Sequence, residues 1–450
     1  MNKKEKIQAE QNVCPERRTE MMKKVGVAIL GVGVVGGGTF KTLTEHREFY
    51  KKTQNVDIVV ESVLDRDHER AKSIGVPAEV LASSIQEVVA NPNVDIVIET
   101  IGGCGVAKDF ILAALQEGKT VVTANKELIC KYSHELERVA KRNGCGLYYE
   151  ASCVGGVPII RTLLDGVQAN HITEMMGIIN GTTNYILTKM AQENADYASA
   201  LKEAQRLGYA EFNPTNDVDG YDAMYKLSIL SSMAFHTKVP YGKIMREGIS
   251  QVDSRDIAFG KQLGYTLKLL AIGKSGEDGI EARVHPTFIP NAHPLASVND
   301  AYNAVYLRGD AVDDIMLYGR GAGSLPTASA VVSDVIYAAT HSEIKYSTFK
   351  NTATAEKGVK FISDFTSAYY IRLSVEDEAG VLAKITGIFA KCGISIVEVA
   401  QKSKSEAGED TRIPLIIITH KTTENSVKSA VAKINQSGIT QVKAVIRVEE

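Results

Sequence analysis

Apolar and polar positions divide the chain into three zones. From Val25 to Ser152, short apolar runs recur with amphipathic stretches between them. The runs are VGVAIL (25–30), IVVESVL (58–64), VDIVIET (94–100), TVVTAN (120–125) and GLYYEAS (146–152). Runs of this length read as strands, while the stretches from Thr39 to about Lys51, Ala107 to Glu117 and Glu127 to Asn143 read as helices. Their alternation predicts βαβ units and a parallel sheet.

From about residue 158 the pattern changes. ITEMMGIING (172–181), TNYILTKMAQ (183–192) and the stretch from Asp222 to His236 read as longer helices. YTLKLLAIGKS (265–275) and EARVHPTFIP (281–290) read as strands, and AVYLRGDAVDDIMLYGRG (304–321) continues the alternation. The expectation is an α+β domain over 158–318. A Gly-led helix over 319–340 then returns to the first domain. Residues 341–367 are polar and rich in Ser, Thr and Lys, and read as a linker. The last zone, 368–450, runs strand, helix, strand, strand, helix, strand, a ferredoxin-like order.

At 450 residues the length prior is about three domains, which agrees with this division. The net charge of −3 without a basic block gives no reason to expect a nucleic-acid partner. Six scattered cysteines without CxxC spacing argue against a disulfide framework or zinc site and fit a reducing cytoplasm. Residues 1–22 are polar, lack the apolar core of a signal peptide, and read as a disordered tail; Met21 or Met22 offers an alternative start. No apolar run reaches membrane-spanning length, so no membrane partner is expected.

GVGVVG (31–36) fits G-x-G-x-x-G between a predicted strand and a predicted helix. Gly31, Gly33 and Gly36 would allow a tight turn and close approach of a pyrophosphate to the helix N-terminus. This places a dinucleotide-binding domain at 23–157. At the end of the second strand, Asp65 would favour a free ribose 2′-hydroxyl, hence NAD, whereas Arg66 could hold a 2′-phosphate, hence NADP. Both cofactors stay open. Lys126, in TANKELI (123–129), follows a strand at the sheet edge where ligands sit, although a surface lysine at a helix start is an equal reading.

The stretch DVDGYDAMYKLSIL (217–230) puts Asp222 and Lys226 on one face of an otherwise apolar helix. A surface ion pair there would be worth about 0.3–0.5 kcal/mol. The apolar flanks argue instead for burial, and a buried lysine needs a partner. Beside a carboxylate, Lys226 is a candidate proton donor and acceptor. Glu211, Asp217 and Asp219 in the preceding loop would add negative charge, fitting an amine-bearing substrate. The Gly-Gly turn of EASCVGGVP (150–158) exposes carbonyls that could hold a hard cation, or it is a plain interdomain turn. Cys153 reads as an inert thiol, and His285 and His293, beside prolines, as structural.

Together these motifs resemble homoserine dehydrogenases of the bacterial type with a C-terminal ACT domain. The resemblance spans about residues 25–450 and is carried by GVGVVG, ETIGG, TANKELI, YYEASCVGGVPII, NGTTNYIL, HPLASV and GRGAGSLPTASAVVSD. Its most specific segment is LGYAEFNPTNDVDGYDAMYKLSIL (207–230). It implies an α/β Rossmann-type domain, an α+β catalytic and dimerisation domain, and a βαββαβ ACT domain. The implied reaction is reduction of L-aspartate 4-semialdehyde to L-homoserine with NADPH or NADH, on the branch to threonine, methionine and isoleucine.

The resemblance makes Lys226 the general acid/base, with Asp222 orienting substrate and Lys126 beside nicotinamide and substrate. It implies that Glu211 and Asp217 contact substrate and that Gly33, Val34, Val35, Thr100 and Gly323 line the cofactor. A sodium ion would be bound by backbone at Glu150, Cys153, Gly155 and Val157. Gly380, Val381 and Leu382 would form the effector turn of the ACT domain, for L-threonine, unless that domain serves only oligomerisation. A homodimer or homotetramer is expected. The chain departs from the family pattern at Cys153, where valine is usual, at Val34, and in GGCGVAK (102–108), which lacks a proline after the double glycine. Phosphorylating semialdehyde dehydrogenases need a Cys–His pair that these motifs do not supply. A catalytically silent nucleotide-binding sensor is the rival from another class.

Overall fold

A computed structural model describes residues 22–341, 343–344, 355–401 and 412–449. The N-terminal tail, residues 342 and 345–354 of the linker, and the polar loop SEAGED (405–410) lie outside the described residues. The first domain holds β1 (Lys23–Leu30), α1 (Val34–Glu45), β2 (Val56–Leu64), β3 (Ile96–Glu99), α2 (Val106–Gln116), β4 (Thr120–Thr123), α3 (Lys126–Arg142) and β5 (Leu147–Tyr148). Its strands form one parallel sheet in the order β2-β1-β3-β4-β5. The chain leaves β1 in one direction to make β2, then crosses to β3 on the other side. That reversal opens a crevice at the carboxyl ends of β1 and β3, where open α/β sheets bind ligands. Val27, Ile29, Val97, Ile98, Val121 and Val122 are buried, because helices cover both faces of the sheet.

The second domain contributes β6 (Ile172–Ile178), α4 (Gly181–Glu193), α5 (Tyr221–Ala234), β7 (Tyr265–Gly276), β8 (Gly279–Pro290), β9 (Tyr302–Gly309) and β10 (Asp313–Arg320). The segment 172–178 is a strand, not the helix its sequence pattern predicts. It lies inside the sheet between β9 and β7, with most positions buried. Burial on both faces removes the two-residue alternation that marks a strand. Helix α6 (Ser324–Thr340) packs back on α1 of the first domain; a Cβ at Gly38 would meet Ser324 Oγ at 2.4 Å.

The segment 355–367 is tied down rather than free. The Glu356 amide donates to Thr237 Oγ1 at 3.0 Å, and Phe361–Ile362 pair in parallel with Ile280 and Glu281 of β8. The C-terminal unit then runs β11 (Thr366–Val375), α7 (Val381–Lys391), β12 (Ile396–Gln401), β13 (Ile413–Thr419), α8 (Glu424–Gln436) and β14 (Gln441–Val448). Its strand order is β14-β11-β13-β12. Because β14 also pairs in parallel with β8 at Arg447–Thr287 and Val448–Phe288, the sheets of the last two domains are continuous. Among the described residues no helix is long and apolar enough to cross a membrane.

Candidate active site

Helix α5 starts after Gly220, whose φ of +80° allows the sharp entry turn. Its remaining residues are almost all buried, and its two charges lie inward: Asp222 is 6% exposed and Lys226 8%. Lys226 Nζ donates to Asp222 Oδ2 at 2.7 Å and to the Ile179 carbonyl at 2.9 Å. The other Asp222 oxygen lies 3.1 Å from Lys126 Nζ, whose side chain is 43% exposed. Two domains thus meet on one carboxylate. Lys126 comes from the first turn of α3, at the carboxyl end of β4, and Lys226 from the second domain.

Burial opposes ionisation of Asp222, but the charges of Lys226 and Lys126 outweigh it and hold its carboxyl well below the usual range. The Asp222 charge in turn raises Lys126 despite burial. Asp217 is raised, first by burial and then by the Asp222 charge. The cluster therefore presents one fixed carboxylate between two ammonium groups.

Asn180, which the motif reading left without a role, organises this cluster. Its Nδ2 donates to Asp217 Oδ1 at 2.7 Å and to Asp222 Oδ2 at 2.9 Å. Its Oδ1 accepts from the Thr183 amide at 2.9 Å, capping α4. The partners fix the amide orientation, because only the NH2 end can serve two carboxylates. An asparagine at a helix start was legible as a cap; its second task was not. Glu211 is exposed on the loop after Arg206, where Gln205 Nε2 donates to its carbonyl at 3.1 Å. Among the described residues no hydrogen bond or ion pair joins its carboxylate to the cluster.

The glycine loop fits a dinucleotide by its geometry. Gly31 has φ +87°, and a Cβ on Gly36 would lie 1.9 Å from the Gly31 carbonyl oxygen. Gly33 precedes α1 with open space around it and no side chain capping the helix, so the amides there are free for an anion. Val34 is exposed, and Val35 lies partly buried beside it in the first turn. Thr100 Oγ1 donates to the Gly31 carbonyl at 2.6 Å, tying the end of β3 to this loop. Gly323, φ +119°, precedes α6.

Asp65 Oδ2 accepts from the Val32 amide at 2.6 Å, and its carboxylate pairs with Arg70 at 2.9 Å. Burial opposes its ionisation, but the Asp67 and Val32 amides and Arg70 depress its pKa. Arg66 is exposed. Sequence reasoning missed Arg70 as the partner, and it also missed Glu99. That fully buried carboxylate accepts from the Ile101 and Gly102 amides at 2.8 and 2.9 Å and from Thr123 Oγ1 at 2.5 Å. It shapes the loop whose missing proline left its form open, and Asn125 Nδ2 adds a bond to the Gly103 carbonyl at 2.7 Å.

The turn after β5 is bent by Val154 and Gly155, with φ of +58° and +51°. A β-branched residue in that region costs on the order of 1–3 kcal/mol, so the surroundings must impose it. Glu150 Oε1 and Oε2 accept from the Ile160 and Arg161 amides at 2.9 and 2.6 Å. Burial and then the Asp334 charge push its carboxyl up to about 7. The carbonyls of Cys153 and Gly155 receive no hydrogen bond among the described residues, whereas that of Val157 accepts from the Ile159 amide at 2.8 Å. Burial pushes the Cys153 thiol up to about 12, which makes it a poor nucleophile. His285 and His293 hold structure: the first is buried beside Arg283 and Thr287, the second caps the Leu295 amide.

The dinucleotide crevice and the Lys126–Asp222–Lys226 cluster lie at one junction, where α3 brings its lysine to α5. Comparison with known proteins accounts for this pairing. Residues 31–150 match the family model "Homoserine dehydrogenase, NAD binding domain", 158–336 match "Homoserine dehydrogenase", and 369–438 match "ACT domain". The homoserine dehydrogenase of Bacillus subtilis is 41% identical over 95% of this chain and 99% of its own length, and that of Corynebacterium glutamicum is 39% identical over 94% and 96%. A homoserine dehydrogenase structure from Thiobacillus denitrificans superposes with a TM-score of 0.88 at 40% identity, over 95% of this chain and 99% of that one. A hyperthermophilic archaeal homoserine dehydrogenase in complex with NADPH matches 70% of this chain and 97% of its own at 30% identity, with a TM-score of 0.59. With a nucleotide crevice opening on a buried lysine–carboxylate cluster and relatives of this identity along nearly its whole length, the chain belongs to the homoserine dehydrogenase family, a family of oxidoreductases.

Proposed function

We propose that this chain reduces L-aspartate 4-semialdehyde to L-homoserine, with Lys226 as general acid in that direction and general base in the reverse. The observation that carries the reading is the nearly buried Lys226 ammonium, charged against Asp222 and aimed into the junction of the two domains. A reduced nicotinamide, when bound, supplies the hydride. Lys226 would offset the negative charge that grows on the carbonyl oxygen and deliver a proton to it. Asp222 would hold the Lys226 ammonium and orient substrate. Lys126, more exposed, would help position the aldehyde, and Asp217 and Glu211 would hold the substrate ammonium.

Gly31, Gly33, Val34, Val35, Gly36, Thr100 and Gly323 would line the dinucleotide. Asp65 is already engaged by the Val32 amide and Arg70, and Arg66 beside it is exposed. That arrangement favours acceptance of a 2′-phosphate, and hence NADP, with NAD as the less preferred cofactor. The backbone carbonyls at Glu150, Cys153, Gly155 and Val157 suit a sodium ion, which would brace the turn between the domains. The enzyme would serve threonine, methionine and isoleucine biosynthesis in the cytoplasm as a homodimer or homotetramer. L-Threonine would be its effector at the exposed turn of Gly380, Val381 and Leu382.

The test is nicotinamide oxidation by the purified chain with aspartate semialdehyde, comparing NADPH and NADH. Turnover is expected with both and faster with NADPH. A chain that binds either cofactor yet never turns over would sink the enzymatic reading in favour of a sensor.

A further inference from the structure

Glu99 ends β3 on the floor of the nucleotide crevice and is fully buried, yet among the described residues no cation pairs with it. Neutral donors meet its charge instead. Its Oε1 accepts from the Ile101 and Gly102 amides at 2.8 and 2.9 Å, and its Oε2 accepts from Thr123 Oγ1 at 2.5 Å. Thr123 Oγ1 in turn accepts from the Asn125 amide at 3.0 Å. Asn125 Nδ2 donates to the Gly103 carbonyl at 2.7 Å, while its Oδ1 takes the Leu128 amide at 3.1 Å and caps α3. The bonds close a ring that runs from Glu99 through the loop 101–103 to Asn125, then through Thr123 back to Glu99. Only one polarity fits it, because an ionised carboxylate accepts and never donates.

The ring joins two parts of the site that packing alone leaves loose. Gly102 and Gly103 have φ of +83° and +71°, and a Cβ on either would find no atom beyond its chain neighbours within 4 Å. Hydrogen bonds rather than side-chain packing therefore hold this loop. It borders the dinucleotide crevice, since Thr100 just before it is tied to the Gly31 carbonyl. On the other side of the ring, Asn125 is followed by Lys126, the first residue of α3, whose ammonium lies 3.1 Å from Asp222. A cation at a helix N-terminus stands against the helix dipole. Its place there depends on Asp222 and on how firmly the helix start is held.

We infer that Glu99 is a positioning residue for the reaction. Acting through Thr123 and Asn125, it locks the loop 101–103 and the start of α3 into one unit, so that Lys126 is set relative to the bound dinucleotide as well as to Asp222. Glu99 works from behind the crevice wall and is not itself a catalytic group. A buried network of this kind leaves an unpaired polar group whenever one member is removed, so a break at any point loosens both ends. The inference rests on the reading of Lys126 as a group beside nicotinamide and substrate, and it adds what holds that group in place.

The experiment is a double-mutant cycle on the full-length protein that joins Thr123→Val with Lys126→Ala. Thr123→Val keeps the shape of the side chain and removes the hydroxyl that links Glu99 to Asn125. Thr123→Ser keeps the hydroxyl and serves as the rescue. Two quantities are read for each variant: kcat/KM for aspartate semialdehyde with NADPH, and the NADPH dissociation constant from a fluorescence titration without substrate. If Thr123→Val disturbs folding, Asn125→Ser takes its place in the cycle, since serine still caps α3 but cannot reach the Gly103 carbonyl.

Thr123→Val is expected to lower kcat/KM and NADPH affinity by about tenfold or more, the size of a lost charge-assisted hydrogen bond. Thr123→Ser should recover most of that loss. In the Lys126→Ala background the same change should cost less than about twofold, because the group it positions is gone. The proposal is overturned if the two losses multiply in the double variant, if Thr123→Val behaves as wild type does, or if Thr123→Ser is as poor as Thr123→Val. Normal wild-type turnover with multiplying losses rejects the positioning role alone. A wild type without turnover rejects the enzymatic reading, and the NADPH affinities then decide the positioning role by the same comparison.

Discussion

Two lysines lie inside the catalytic domain with little exposure, and they are held in opposite ways. Lys226 is 8% exposed and faces the Asp222 carboxylate at 2.7 Å. Lys268, on β7, is 2% exposed and has only neutral acceptors: the Val298 carbonyl at 2.5 Å, Asn184 Oδ1 at 3.2 Å and Asn299 Oδ1 at 3.3 Å. Burial pushes Lys268 down to about 8, with the Asp300 charge opposing. Similar burial therefore goes with different partners. What separates Lys226 is a carboxylate that keeps its charge and a second lysine on that carboxylate. Lys268 instead ties β7 to α4, one turn beyond the cap at Asn180.

The largest effect should fall on Lys226. Lys226→Ala is expected to lower kcat by about two to four orders of magnitude, as loss of a general acid does, while cofactor affinity stays near wild type. Steady-state kinetics together with cofactor titration would check this, and a variant with full activity would reduce Lys226 to a structural ion pair like its counterpart. Asp222→Asn should come next, because it makes the environment of Lys226 resemble that of Lys268. Without the carboxylate, the Lys226 side chain loses the charged partner that holds it at 2.7 Å. A loss of about tenfold or more in kcat/KM is the expected sign. An unchanged kcat/KM would separate Lys226 chemistry from Asp222.

Lys268→Ala tests the other side. It leaves the Asn184 and Asn299 side-chain oxygens without this donor and a gap in the core, while the Val298 carbonyl keeps the Asn184 amide, so the unfolding free energy should fall by about 2–4 kcal/mol, while the folded fraction turns over as wild type does. Denaturant titration and active-site-normalised rates separate the two quantities. The smallest effect is one of pH. The folded pKa of Lys268, about 8, lies below its unfolded value near 10.4. As pH falls through that window, the unfolded chain takes up the proton first. Wild-type stability should therefore decline from about pH 10.4 to about pH 8 and level off below, by up to about 3 kcal/mol. The slope should vanish in Lys268→Ala when unfolding is followed by denaturant at each pH.

The same contrast marks how far the chain could be read without coordinates. The pair Asp222–Lys226 was legible because its four-residue spacing sits in an apolar helix, a local signal. The glycine loop was legible for the same reason, since strand, loop and helix are contiguous. Lys268 was not, because one lysine in an apolar strand looks like a solvent-facing position until the sheet buries both faces. The strand Ile172–Ile178 was read as helix for a related cause: interior strands lose their alternation. Helix α1 begins at Val34, ahead of the amphipathic stretch from Thr39, because its glycines serve close approach to Gly31, Thr100 and Ser324 rather than helix propensity.

The alternation of strands and helices in the first and last domains, the nucleotide fingerprint and the lysine–carboxylate helix were determined by local pattern, which needs only neighbours a few residues apart. The tertiary structure alone decided that Lys126 shares Asp222 with Lys226, that Asn180 joins two carboxylates, that Glu99 shapes the loop after β3, and that Arg447 binds the ACT domain to Glu247. Each of these joins groups between 24 and 200 positions apart or bonds a side chain to backbone amides, so its energy depends on distances and burial that appear only once the domains have packed.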